Sequence, residues 1–185
     1  MMRAITLWPE WAWAICRLNK RVENRGYRPP AAMVGELVAI HAGKYFGGRA
    51  GRVATVEALH AIEDTACEAG WEVDVTLSRE RVFLNGDQDV RWGIRGSTLL
   101  ERGDDRYLPL HRVNDAYTPI ATSAIVAVAR IGFLIEPTPD PTHPWHAPDS
   151  WGWLLEDVRV LDEPILCKGK QGLWFPPADV AARLP

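Results

Sequence analysis

The alternation of apolar and polar positions predicts strand, helix, strand, strand over the first forty-odd residues. Ala4 to Trp8 is a short β-prone run, and Pro9 stands where a first helical position accepts proline. Trp11, Ala14, Ile15 and Leu18 follow at spacings of three and four, one face of a helix, which places Trp11 inside. Asn19 is expected to close that helix in the left-handed conformation. Arg21 to Asn24 reads as a strand stopped before Pro29-Pro30, and Glu36 to Ala42 as another ending at Gly43.

The middle of the chain changes character. Val56, Leu59, Ile62 and Ala66 mark an amphipathic helix stopped by Gly70. Val73 to Leu77 suits a strand, and Val82 to Leu84 with Val90 to Ile94 flank Asn85-Gly86-Asp87, a hairpin signal. From Ser97 to Thr118 charge dominates and a loop is expected. The last third is again β-rich. Ser123 to Ile135 is long enough for a bent strand with a bulge near Gly132, and five prolines from Pro137 to Pro148 punctuate a loop. Trp151 to Val160 and Gly172 to Phe175 read as strands, and Pro177 to Leu184 as a terminal helical turn. Strands at both ends with few helices between them predict an α+β fold built on a mixed β-barrel, not a doubly wound sheet.

Composition narrows the class. At 185 residues, 47% of them hydrophobic, the chain suits one globular domain, or one carrying an insertion. No apolar run approaches the roughly 20 residues that span a bilayer, and Glu10 with three tryptophans breaks any secretory signal. The expected address is therefore the cytoplasm, with no membrane partner. Cys16, Cys67 and Cys167 are odd in number and form no CxxC pair, which argues against a disulfide framework and a zinc site. The net charge of −3 is unevenly spread. Residues 1–51 hold eight Lys/Arg against three Asp/Glu, whereas 52–118 hold eight against thirteen. A polyanion is expected to meet the N-terminal segment.

The most informative stretch is Asn19-Lys20-Arg21-Val22-Glu23-Asn24-Arg25. Extended after Lys20, it sets Arg21, Glu23 and Arg25 on one strand face, with Lys20 and Glu23 converging from either side of the helix–strand junction. A carboxylate among cations stays ionised and holds them in place, so the group can grip a phosphate or a base edge. A salt-bridged surface strand is the plainer alternative.

These residues carry a family resemblance. Leu7 to Ala14 (LWPEWAWA), NKRVENR and His41-Ala42-Gly43-Lys44 are similar to the N-terminal half of an ASCH domain, whose hallmark is GxKxxExR. Lys20, Glu23 and Arg25 stand at the right spacing, and Leu18 occupies the usual glycine position. SAIVAVARIGFLI, WGWLLEDVRVLDEPI and GKQGLW resemble the C-terminal half. The resemblance implies a PUA-like mixed β-barrel with flanking helices over residues 1–185, with 46–118 as an inserted α/β segment. It implies a cleft beside the first helix that faces RNA, DNA or a modified nucleobase, lined by Lys20, Glu23 and Arg25, with no cofactor. One branch of the family resembles amidohydrolases acting on acetylcytidine through a lysine, a threonine three residues later and a later glutamate. Lys20 and Glu156 match, but Glu23 replaces the threonine. Others are thought to cleave RNA. If the chain is an enzyme, Lys20, Glu23 and Glu156 are the expected catalytic residues.

Further contacts to nucleic acid are expected from aromatic and basic groups. Exposed indoles stack on bases, which makes Trp8, Trp13, Trp151 and Trp153 candidates. His41 and Lys44 sit at a strand end beside a glycine, and Lys170 in the basic turn Lys168 to Gly172 offers a phosphate contact. His143 and His146 with Asp140 and Asp149 have loose metal spacing without a third firm ligand, so no metal is expected.

Overall fold

A computed structural model describes residues 1–44, 57–58, 60–62, 64–65, 71–72, 76–84, 87–95, 100–101, 118–119 and 121–185, with backbone alone between 71 and 119. The chain divides into two compact units. The first joins Met1–Tyr45 to Ala121–Pro185, and the second is Phe46–Ile120.

The first unit runs β1 (Arg3–Leu7), α1 (Pro9–Arg17), β2 (Val22–Arg25), a 3₁₀ turn (Ala31–Met33) and β3 (Leu37–Ala42). In the second unit, residues between 57 and 65 are helical where described, and Ile62 is buried. Its strands are β4 (Trp71–Glu72), β5 (Thr76–Leu84), β6 (Asp87–Arg95), β7 (Leu100–Glu101) and β8 (Thr118–Pro119). β5 and β6 form an antiparallel hairpin in which Leu84 faces Asp87. Asn85 and Gly86, the turn residues of the expected hairpin, lie outside the described residues. The span expected to be loop from Ser97 contains β7, which pairs with β4. Three elements return to the first unit: β9 (Ala124–Ile135), β10 (Trp151–Leu166) and β11 (Leu173–Trp174). The short helix α2 (Ala178–Ala181) follows.

Six strands form one mixed sheet in the order β11-β1-β3-β9-β10-β2, parallel only between β1 and β3. The sheet curls into a half-barrel. A hydrogen bond demonstrates the curl: Arg25 Nη2 on β2 donates to Thr6 O on β1 at 3.1 Å. In a flat sheet three intervening strands would hold β2 and β1 roughly 19 Å apart, farther than an arginine reaches.

The concave face is the main core, with Ile5, Leu7, Val38, Ile40, Ile131, Trp153 and Leu155 packed beneath Ala12 and Ile15 of α1. A smaller convex-face core gathers Ala4, Ala39, Ile125, Ile165 and Trp174 against Val180 of α2. Both faces of β1 and β3 are thus covered, which explains why their residues read as continuous apolar runs.

Local chemistry sets the element ends. Pro9 opens α1, and Asn19 closes it at φ +54° while the Lys20 N–H donates to Ala14 O at 3.2 Å. The pairing of β9 with β10 slips between Leu134 and Ile131, which puts a bulge at Gly132 and Phe133. A second slip follows at Asp157, itself left-handed at φ +49°. The helix is buried on more than one side. Trp11, expected inside, is half-buried, whereas Trp13 is the buried indole, because the curled sheet wraps past the stripe that spacing alone defines.

Candidate functional site

The turn after α1 and the first residues of β2 deliver three charged side chains to one point. Lys20 Nζ lies 3.4 Å from Glu23 Oε2 and also donates to Val22 O. Arg25 Nε stands 3.0 Å from Glu23 Oε1, although its N–H is aimed away, so the contact is a charge pairing more than a directed hydrogen bond. Glu23 therefore bridges two cations, one through each carboxylate oxygen. Glu23 and Arg25 share a strand face because they are two residues apart. Register sets Glu23 opposite Trp153 and Arg25 opposite Trp151.

This cluster is interior. Lys20 is 2% exposed and Glu23 7%. Lys20 Nζ stands 5.6 Å from the centre of the Trp11 ring, and the Arg25 guanidinium 5.9 Å from that of Trp153. Burial pushes the Lys20 pKa below the ordinary lysine value, and the Glu23 carboxylate opposes the shift. Arg25 is the more open member, its side chain 18% exposed.

Arg21 serves the scaffold. Its guanidinium donates to Ile15 O and Lys20 O, binding the end of α1 to the turn. Trp153 is fully buried, its indole N–H donating to Tyr27 O at 3.2 Å, so it is a wall of the core. Trp151 is half-buried with Arg28 over its ring at 5.6 Å, and Trp8 is 45% exposed. Glu156 is not among the side chains gathered around Lys20. It alternates with Trp153 and Leu155, which places it on the opposite face of β10, where it covers Gly132.

Asn24, which spacing did not single out, lies on the other face of β2 and anchors the proline-rich loop. Its Nδ2 donates to Trp145 O at 2.9 Å, and its Oδ1 accepts from the Ala147 N–H at 2.9 Å. A polar residue between Glu23 and Arg25, facing away from both, was the signal available. The loop buries Trp145 and His146. His143 Nδ1 accepts from the Trp145 N–H and His146 Nε2 is bonded to Ser150 O, so each imidazole has one nitrogen committed to the loop backbone. Burial lowers the His143 pKa, helped by the charges of His146 and Lys20.

The remaining candidates meet around Thr6 of β1. His41 pairs in register with Thr6, its Nε2 is bonded to Cys167 O at 3.0 Å, and its ring stands edge-on to Trp174. Burial lowers its pKa, and the bond to Cys167 O opposes the shift. Gly169 closes over it: an added Cβ would stand 2.6 Å from His41 Nδ1 and 2.9 Å from Thr6 Oγ1. Lys44, Lys168 and Lys170 are exposed at this strand end.

No family model matches the sequence. An alignment 118 positions long, which covers 59% of the chain, shows 30% identity to the human E3 ubiquitin-protein ligase RNF213. The chain spans 2% of that relative's length.

Proposed function

We propose that the first unit is a PUA-like module of the ASCH type that recognises a nucleobase, presented by a single strand or flipped from a duplex, through Lys20, Glu23 and Arg25. The carrying observation is the burial of one carboxylate between two cations inside an apolar half-barrel. Buried ion clusters contribute little to stability compared with apolar residues of the same volume, and this one offers charged donors and an acceptor that an apolar core lacks. Glu23 accepts a base N–H, Arg25 donates to a ring or carbonyl acceptor, and Lys20 holds Glu23 ionised. Arg25, the most open of the three, is the first group a base meets. Trp8, two residues beyond the Thr6 carbonyl that anchors Arg25, offers a stacking face. A base must leave its stack to reach such a site, which fits RNA loops, single strands and modified bases.

A second reading, an amide hydrolase acting on a modified base, rests on one observation: burial lowers the Lys20 pKa, the condition that turns a lysine into a base. Glu23 then activates water, since no hydroxyl stands at that position and Glu156 faces away.

One experiment addresses both readings. The purified protein is titrated with RNA, single-stranded DNA and modified nucleosides, and each substrate is followed by mass spectrometry. Arg25→Ala is expected to weaken binding at least tenfold while the fold, read by circular dichroism, persists. Unchanged affinity would sink the proposal. A lost acetyl group, abolished by Glu23→Gln with binding retained, would establish the hydrolase.

A further inference from the structure

The chain contains four lysines. One, Lys20, is buried in the charged cluster, and the other three share one end of the half-barrel although 124 residues separate Lys44 from Lys168. A ladder of backbone bonds explains the meeting. Gly43 O accepts from the Ser123 N–H at 3.1 Å, Ser123 O accepts from the Cys167 N–H at 3.0 Å, and Cys167 O is bonded to His41 Nε2. Lys44 and Lys168 each directly follow a rung of that ladder. Lys170 follows Gly169, which packs on His41 and Thr6.

All three are exposed, and none has an ion-pair partner among the described residues. Asp179 lies near enough to Cys167, the neighbour of Lys168, for its charge to help raise the thiol pKa, after burial. The glycines bring the turn close. An added Cβ on Gly43 would stand 2.9 Å from Leu7 O and 3.2 Å from Thr6 Cγ2, so the residue before Lys44 lies directly on the end of β1. Thr6 is also the residue whose carbonyl accepts from Arg25 on the concave side. The glycines that precede Lys44 and Lys170 thus pack against the same residue of β1 whose carbonyl accepts from Arg25.

We infer that Lys44, Lys168 and Lys170 form the phosphate-contact surface for a single-stranded nucleic acid whose base enters the Lys20–Glu23–Arg25 cluster. The inference rests on the proposed base recognition and adds the backbone path and its three cations. Lysine suits such a surface because a flexible, strongly hydrated point charge follows a mobile phosphate without demanding one geometry. Sequence preference belongs to the buried cluster, and affinity at low salt belongs to the lysines.

The test uses the full chain and labelled RNA and DNA oligonucleotides of mixed sequence, roughly 12 nucleotides long. Affinity is measured across a salt series. Lys44→Gln/Lys168→Gln/Lys170→Gln is expected to make the slope of log K against log salt shallower by about 2, the loss of three single-strand phosphate contacts. The same three changed to arginine are expected to restore the slope. Base preference is expected to be unchanged in both variants and lost in Arg25→Ala. A glutamine variant with the parental slope and affinity would overturn the surface while leaving base recognition standing. Loss of polyglutamate binding in place of oligonucleotide binding would overturn it in favour of an acidic protein partner. No nucleic-acid binding by the parent protein would overturn both.

Discussion

Lys20 and Lys170 are the same residue type in opposite situations. Lys20 is closed off beside Trp11, its ammonium bonded to Val22 O and paired with Glu23. Lys170 stands in solvent on a glycine turn. A buried charge is costly unless partnered, so Lys20 constrains everything around it and tolerates little change. An exposed charge constrains nothing and acts at a distance through its field. The contrast separates a specifying group from an attracting one within a single half-barrel.

The sharpest way to break the contrast is to remove the carboxylate that bridges the buried cations. Glu23→Ala leaves Lys20 and Arg25 facing each other without compensation, and is expected to cost about 3 kcal/mol by chemical denaturation. Glu23→Gln keeps an acceptor and should cost less. The double variant Lys20→Met/Glu23→Leu replaces the pair with apolar groups and is expected to be more stable than Glu23→Ala alone. A Glu23→Ala midpoint equal to that of the parent would show that the cluster imposes no constraint.

The next effect compares two tightly packed glycines. Gly169→Ala drives a methyl into the buried His41 ring, which cannot move without disturbing Trp174. Overpacking of that kind is expected to cost about 2 kcal/mol. Gly132→Ala meets chiefly the end of the Glu156 side chain, which can swing away, and should cost under about 1 kcal/mol. Equal denaturation midpoints for the two would remove the distinction between a rigid neighbour and a flexible one.

Much of this framework was legible before any fold was known. Pro9 and Asn19 marked the ends of α1, and the bulge expected near Gly132 lies where β9 and β10 slip. Spacing set Glu23 and Arg25 on one strand face with Lys20 converging on Glu23, but it also set Arg21 there, which instead binds the end of α1. The burial of Lys20 and Glu23 was not legible, because it depends on the sheet curling until β2 reaches Thr6, a property of six strands together. The same curl reversed the expectation for Trp11 and Trp13. β10 runs six residues beyond its expected end at Val160 because its break at Asp157 and its Pro164 interrupt the alternation that would have revealed it. The convergence of Lys44 with Lys168 was hidden for another reason: the charge tally follows the chain, and the ladder through Ser123 joins its distant parts.

Asn24 offers a subtler test, since it joins the strand bearing the buried charges to the proline-rich loop. Asn24→Ala removes the bonds to Trp145 O and the Ala147 N–H and is expected to cost about 1 kcal/mol. The local consequence is larger than the global one. Hydrogen exchange at the Ala147 amide should accelerate while the core strands keep their protection. Uniform acceleration would mean that the loop and the sheet open together.

Acid provides a smaller effect with a definite sign. Burial holds native His41 and His143 below the ordinary value of 6.5. As pH falls through 6.5 the unfolded chain takes up protons that the native protein refuses, so stability declines. The decline continues until pH passes the lowered native values. His41→Gln, which keeps a polar group facing Cys167 O, should flatten part of that slope without changing stability near pH 8. An unchanged slope would remove His41 from the account and leave His143 as the group to test.

The exposed lysines should give the smallest stability change, and for that reason they complete the comparison. Lys44→Gln, Lys168→Gln and Lys170→Gln each remove a solvated charge with no partner among the described residues, so each should lie within about 0.5 kcal/mol of the parent. Relief of mutual repulsion should leave the triple variant slightly more stable at low salt. If the triple variant instead melts well below the parent, the lysines hold the ladder of Gly43, Ser123 and Cys167 together. The division between a specifying interior and an attracting rim would then fail, because both sets of charges would be structural.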